Sequence, residues 1–150
     1  MLGRDAPGLR LGLQGMGLRS IPTYLRDTGW PRPPDAVDAF LGTLAGDLAT
    51  TTPVVALDVH ESVAPRVGLE LILAHPQAVR ADRARTLLDH LVGLELCTPA
   101  QRDAALVWPS SHGPYDAFMG RPARRISHVK IVCGANDSLE AKCYLEASLA

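Results

Sequence analysis

Long apolar runs are missing from this chain. No segment approaches the roughly 18 uninterrupted apolar residues of a membrane helix, so no membrane insertion is expected. An excess of positive charge is missing too: 15 Lys and Arg stand against 16 Asp and Glu, a formal charge of −1. General nucleic-acid binding needs a net basic field or a strong basic patch, and is not expected either. Arg121, Arg124 and Arg125 form the only dense basic cluster, and they read as a solvated stretch beside a strand. Cysteine is sparse. Cys97, Cys133 and Cys143 are odd in number and lack C-x-x-C spacing, which disfavours both a disulfide framework and a zinc site. Met1 to Arg10 lack the basic start and apolar run of a signal peptide. Together these point to a soluble cytoplasmic protein with reduced thiols. Much Ala, Arg, Gly and Pro with little Lys suggests a GC-rich bacterial genome.

What is present is a globular composition. The chain has 150 residues, 47% hydrophobic and 21% charged, enough for one domain with its own core. Pro7 to Gln14 alternates as a short strand. Ser20 is placed to cap a helix with Pro22 in its first turn, running to Gly29. Trp30 to Pro34 is a rigid connector, and from Asp35 the residues Val37, Phe40, Leu41, Leu44 and Leu48 recur at helical spacing. Val54 to His60 and Val67 to Leu73 read as an antiparallel hairpin. Asp82 to Leu94 predicts a helix, and Thr98-Pro99 caps a shorter one. Ser110 to Pro122 is the longest stretch without periodicity, and long loops of this kind are flexible or functional.

The chain then ends in its clearest signal. Between Ile126 and Leu145 two alternating runs flank Gly134-Ala135-Asn136-Asp137, a hairpin with a short turn. Val129, Ile131 and Cys133 share one face, and Lys130 lies on the other; on the return strand Glu140, Lys142 and Tyr144 share a face.

The segments also resemble one another. Gly8–Leu13, Gly68–Leu73 and Ala141–Leu145 superpose, and each of the first two is followed by two helices and an alternating hairpin. The predicted fold class is α+β: repeated helix/β-hairpin units forming an antiparallel sheet of about five strands, covered by helices on one face, as a partial barrel. Such units bury their apolar faces against neighbours, so one reading makes the chain part of a larger protein or a subunit of an oligomer. The other makes it a self-contained domain.

Two constellations carry candidate chemistry. Lys130, Lys142 and Tyr144 would bind a phosphate or diphosphate, the lysines as point charges and the phenol as a neutral donor. Asp58 and Glu70 are the candidate catalytic carboxylates, with His60 on the strand face of Asp58 and Glu70 across from them; a carboxylate here would accept an N–H or act as a base. D-x-H alone carries little metal specificity, so no metal and no cofactor is expected. A solvated sheet face accounts for both sets without any function. Gly12, Gly15 and Gly17 do not form the dinucleotide fingerprint, and Ser110, Ser111 and His112 lack a nucleophile elbow. Cys97 reads as a small buried side chain.

With its repeated helix and hairpin units, Lys142-Cys143-Tyr144 and Lys130, the chain resembles the ABBA-fold aromatic prenyltransferases. The resemblance covers Val54 to Leu145 in topology and a few residues in motif. It implies that Lys130, Lys142 and Tyr144, with Arg10 at the matching position of the first strand, hold a prenyl diphosphate. It also implies that Asp58 or Glu70 orients an aromatic or peptide acceptor. The family barrel needs more strands than this chain supplies, which again implies a partner subunit or an oligomer. The competing reading is a non-catalytic accessory protein that holds a peptide or partner through a sheet edge or the Ser110–Pro122 loop.

Overall fold

A computed structural model describes residues 8–30, 34–44, 48, 52–73, 80–109, 123–134, 136 and 138–148. Ser110 to Pro122, including Ser110, Ser111 and His112, lies outside the described residues, as does Arg121. The elements follow the order β1 (Leu9–Leu13), α1 (Ile21–Asp27), α2 (Asp35–Thr43), β2 (Val54–Val59), β3 (Val63–Ile72), α3 (Arg80–Gly93), α4 (Pro99–Val107), β4 (Ala123–Cys133) and β5 (Leu139–Ser148), with a 3-10 turn at Leu18–Ser20. The strands form one antiparallel five-stranded sheet in the order β1-β2-β3-β4-β5, so the α+β expectation holds. No helix among the described residues is long and apolar enough to cross a membrane.

Contacts divide the chain into two compact units, Met1–Glu70 with Ile131–Glu140, and Leu71–Lys130 with Ala141–Ala150. In the first, Leu11, Leu57 and Val67 lie in one cross-strand row, and Val55 stands opposite Leu69 in another. Val55, Leu57, Val67 and Leu69 are buried together with Ile21 and Leu25 of α1 and Val37 and Phe40 of α2. β3 starts earlier than its apolar run suggests. It includes Pro65 and is reached by a tight turn in which His60 N–H donates to Ser62 O at 3.0 Å. The register shifts between Leu57 and Val59, where one residue of β2, Asp58, faces three of β3, Ala64 to Arg66. α2 stops at Thr43, so Leu44 and Leu48 are buried from outside the helix that their spacing predicts. Ser20 sits at the N-cap of α1 without a side-chain bond, because its backbone is already helical (φ −87°, ψ −16°) and the 3-10 turn leads straight into the helix.

Both longer connections between paired helices begin with the same device. After α1, Trp30 N–H donates to Leu25 O and Gly29 N–H to Arg26 O, with Gly29 at φ 71°. After α3, Leu96 N–H donates to Leu91 O and Glu95 N–H to Val92 O, with Glu95 at φ 59°. These are Schellman motifs, whose left-handed position favours glycine. Glu95 occupies it with a Cβ, a conformation that disfavours L-residues by roughly 1–2 kcal/mol. Glu95→Gly is therefore expected to raise the unfolding free energy by about 1 kcal/mol, read as a higher urea midpoint at unchanged m-value. An unchanged or lower midpoint would contradict the strain.

In the second unit Leu87, Leu88 and Leu91 of α3 are buried, as are Ala105 of α4 and Val129 of β4. α4 begins in a complete capping box. Thr98 Oγ1 accepts from Gln101 N–H at 3.2 Å, and Gln101 Oε1 accepts from Thr98 N–H at 2.9 Å. Both the Thr cap and the Pro at the first helical position were legible as sequence.

Candidate functional site

The last two strands carry several donor side chains on one face. In the second unit the His128 and Tyr144 rings stack at 4.2 Å between centroids, 14° from parallel. Antiparallel strands advance in opposite directions and repeat a face every two residues, so the next pair on that face is Lys130 with Lys142. Their Cβ atoms would then be roughly 5 Å apart. Lys130 is 8% exposed, the only buried charged side chain among the described residues. A lysine is buried this far when its four-carbon stem lies along apolar neighbours and its ammonium reaches a polar atom. Lys142 is exposed and Tyr144 is 41% exposed. One side of the hairpin thus combines two ammonium groups, a phenol and an imidazole. His128 Nδ1 lies 3.2 Å from Ser127 Oγ.

Sequence reasoning omitted His128. The signal was available, since His128 and Lys130 are two residues apart in an alternating run and must share a face.

The other candidates belong to the first unit and are arranged differently. Arg10 and Asp58 stand directly opposite each other on β1 and β2 and form a two-pronged ion pair, with Nε–Oδ1 and Nη2–Oδ2 both 2.7 Å. Arg10 as a substrate ligand and Asp58 as a base would each have to exchange this partner. Glu70 stands opposite Val54, four residues along β2 from Asp58. At strand rise this is ~13 Å, so Asp58 and Glu70 do not form a carboxylate pair, contrary to the expectation that they face each other. The His60 ring lies instead against Gly8, where a Cβ would meet it at 2.5 Å. No group of three or more His, Cys, Asp or Glu able to hold a metal occurs among the described residues.

At the far end of β4 and β5, Arg125 Nη2 and Nε bond the Glu146 carboxylate at 2.6 and 2.9 Å. Arg124 lies 5.2 Å over the Trp108 ring, and the Trp108 indole donates to Glu146 O at 3.4 Å. Of the arginine cluster read as solvated, these two members are thus engaged. The Arg125 hydrogen bonds hold the Glu146 carboxyl below the usual carboxylate range. A depressed folded-state value contributes stability above the unfolded carboxylate pKa, lost as pH falls through the folded one. The melting-temperature difference between wild type and Glu146→Gln is therefore expected to vanish in acid and to be small at neutral pH, since the pair is exposed. A difference that persists unchanged into acid would contradict the assignment.

Cys97 is half-exposed rather than buried, because the Schellman turn after α3 carries it to the rim of a pocket of about 190 Å³. No protein-family model, curated protein or solved structure matches this chain.

Proposed function

We propose that the His128, Lys130, Lys142 and Tyr144 face of the last hairpin binds the diphosphate of a small molecule, and that the chain works as a prenyltransferase-like protein or a subunit of one. The observation that carries the reading is the stacking of His128 on Tyr144 across the two strands, from which strand periodicity sets Lys130 beside Lys142. Like charges opposite each other in a sheet repel, whereas a dianionic group between them makes charge-assisted hydrogen bonds to both. The first unit offers a contrast. If the chain is an internal repeat, Arg10, Glu70 and Lys142 share one strand position and Asp58 and Lys130 share another, so the charge at each position differs between copies.

In the reaction this implies, the bond between the allylic carbon and the diphosphate oxygen breaks while the acceptor's carbon attacks. The lysines and the Tyr144 hydroxyl stabilise the charge that develops on the leaving diphosphate. The acceptor loses a proton to a base, and a carboxylate orients it. Additional strands, from a second copy or a longer chain, would close the sheet toward a barrel. A reducing cytoplasm suits the unbridged thiols.

A non-catalytic accessory role has its own support. β1 and β5 are the outer strands of the sheet, and Leu9 is 62% and Leu145 46% exposed, as on an edge that accepts a peptide strand. Calorimetric titration of the full chain with a prenyl diphosphate and with the matching prenyl alcohol separates the two. Saturable binding that requires the diphosphate supports the transferase-like reading; equal heats with both, or none, would refute it.

A further inference from the structure

Three cysteines carry unbridged thiols in this chain, and the fold sorts them. Cys133 is 2% exposed, its Sγ directed at Gly134 O 3.8 Å away. Cys97 lies on the turn between α3 and α4, and Cys143 on β5. In the second unit these two line the same pocket of about 190 Å³, between Leu88 and Leu91 of α3, Ala105 of α4 and Val129 of β4. Cys143 reaches it on the strand face opposite Lys142 and Tyr144, together with Ala141. The pocket is therefore distinct from the proposed diphosphate face, and a reaction between its two sulfurs does not depend on that face.

We infer that Cys97 and Cys143 are an oxidisable pair, which a peroxide-class oxidant converts to an intramolecular disulfide across the pocket. The environments of the two sulfurs order the steps. Partial burial pushes both thiols up, Cys143 against the pocket although the residue as a whole is exposed, but at Cys97 the Arg102 backbone N–H and guanidinium favour the thiolate and offset part of the effect. At Cys143 burial acts with the neighbouring Cys97 charge, and both disfavour its thiolate. Cys97 thiolate attacks the peroxide, breaks its O–O bond and becomes a sulfenic acid, releasing hydroxide that is protonated to water. Cys143 then attacks the sulfenic sulfur, the S–S bond forms, and the departing hydroxide takes the Cys143 proton as a second water. Two electrons pass from the sulfurs to the peroxide. Thiols poised against the thiolate form react slowly with peroxide, and their disulfide resists reduction, because the reduced state gains nothing from a stabilised thiolate. The link would tie the α3–α4 turn to the edge strand and occlude the pocket.

The test treats the dilute full chain with hydrogen peroxide, then counts thiols in denaturant and maps the linked peptides. The titratable thiols are expected to fall from three to one, with Cys133 remaining, the chain monomeric, and its mass lower by about 2 Da. Cys97→Ser should abolish the internal link and leave Cys143 to form sulfinic acid or an interchain disulfide. Dibromobimane, which fluoresces when it bridges two nearby thiols, should cross-link Cys97 to Cys143 in the unoxidised wild type, a result that needs no variant to fold. A disulfide that includes Cys133, interchain links through Cys143 in the wild type, or single alkylation at both sites without bridging would overturn the inference.

Discussion

Leu57→Ala is expected to lower the unfolding free energy by ~2–5 kcal/mol, the largest single-residue effect on stability anticipated in this chain. Leu57 is 1% exposed and sits mid-strand on β2, which pairs with β1 on one side and β3 on the other. Its row contains Leu11 and Val67, and only Val67 is buried. Truncation removes three carbons, a methine and two methyls, from water-excluded surroundings and leaves a cavity. Strand partners held by backbone bonds on both sides have little freedom to collapse into it. Leu11→Ala removes the same atoms from a residue 37% exposed and should produce well under half the loss. Urea unfolding of both variants measures the contrast. Equal losses would show that burial at Leu57 is not what stabilises the sheet.

The largest functional effect is expected at the lysine pair. Each ammonium-to-phosphate hydrogen bond is charge-assisted and contributes about 1.5–3 kcal/mol, so Lys142→Ala should weaken diphosphate binding by roughly 10–100-fold. Lys142 is exposed, and its loss should leave the unfolding midpoint nearly unchanged. Lys130→Met should weaken binding similarly while retaining most of the stem packing of this buried side chain. Tyr144→Phe removes one neutral donor and should have a smaller effect, about 1 kcal/mol or fivefold. Isothermal titration with inorganic pyrophosphate checks all three. Wild-type affinity in Lys142→Ala would remove the lysine pair from the site.

Local pattern and long-range pairing differ in how they could be read from the sequence. Alternation from Ile126 onward predicted β4 and β5, because the apolar period sets which face is buried. The Thr98-Pro99 start of α4 was equally legible, since a capping box is built from neighbours in sequence. Arg10 and Asp58 read as separate roles in sequence, and only the β1–β2 register brings these residues, 48 positions apart, together. Glu70 is placed opposite Val54, four residues from Asp58, by the same kind of long-range register, which no local pattern in either strand specifies. Glu95 illustrates a different limit. Its left-handed conformation is imposed by the Schellman hydrogen bonds after α3, and glutamate gives no sequence sign of it. The alternation did put Lys130 on the hairpin face now proposed as the site; it did not foresee that this lysine is buried or that Tyr144 stacks on His128.

The central claim is that one face of the β4–β5 hairpin receives a diphosphate, and nuclear magnetic resonance tests it residue by residue. Pyrophosphate added to the isotopically labelled full chain should shift the signals of His128, Lys130, Lys142 and Tyr144 saturably and together, and leave Arg10 and Asp58 unmoved. Shifts that never saturate, or that centre on any other part of the chain, would contradict the account.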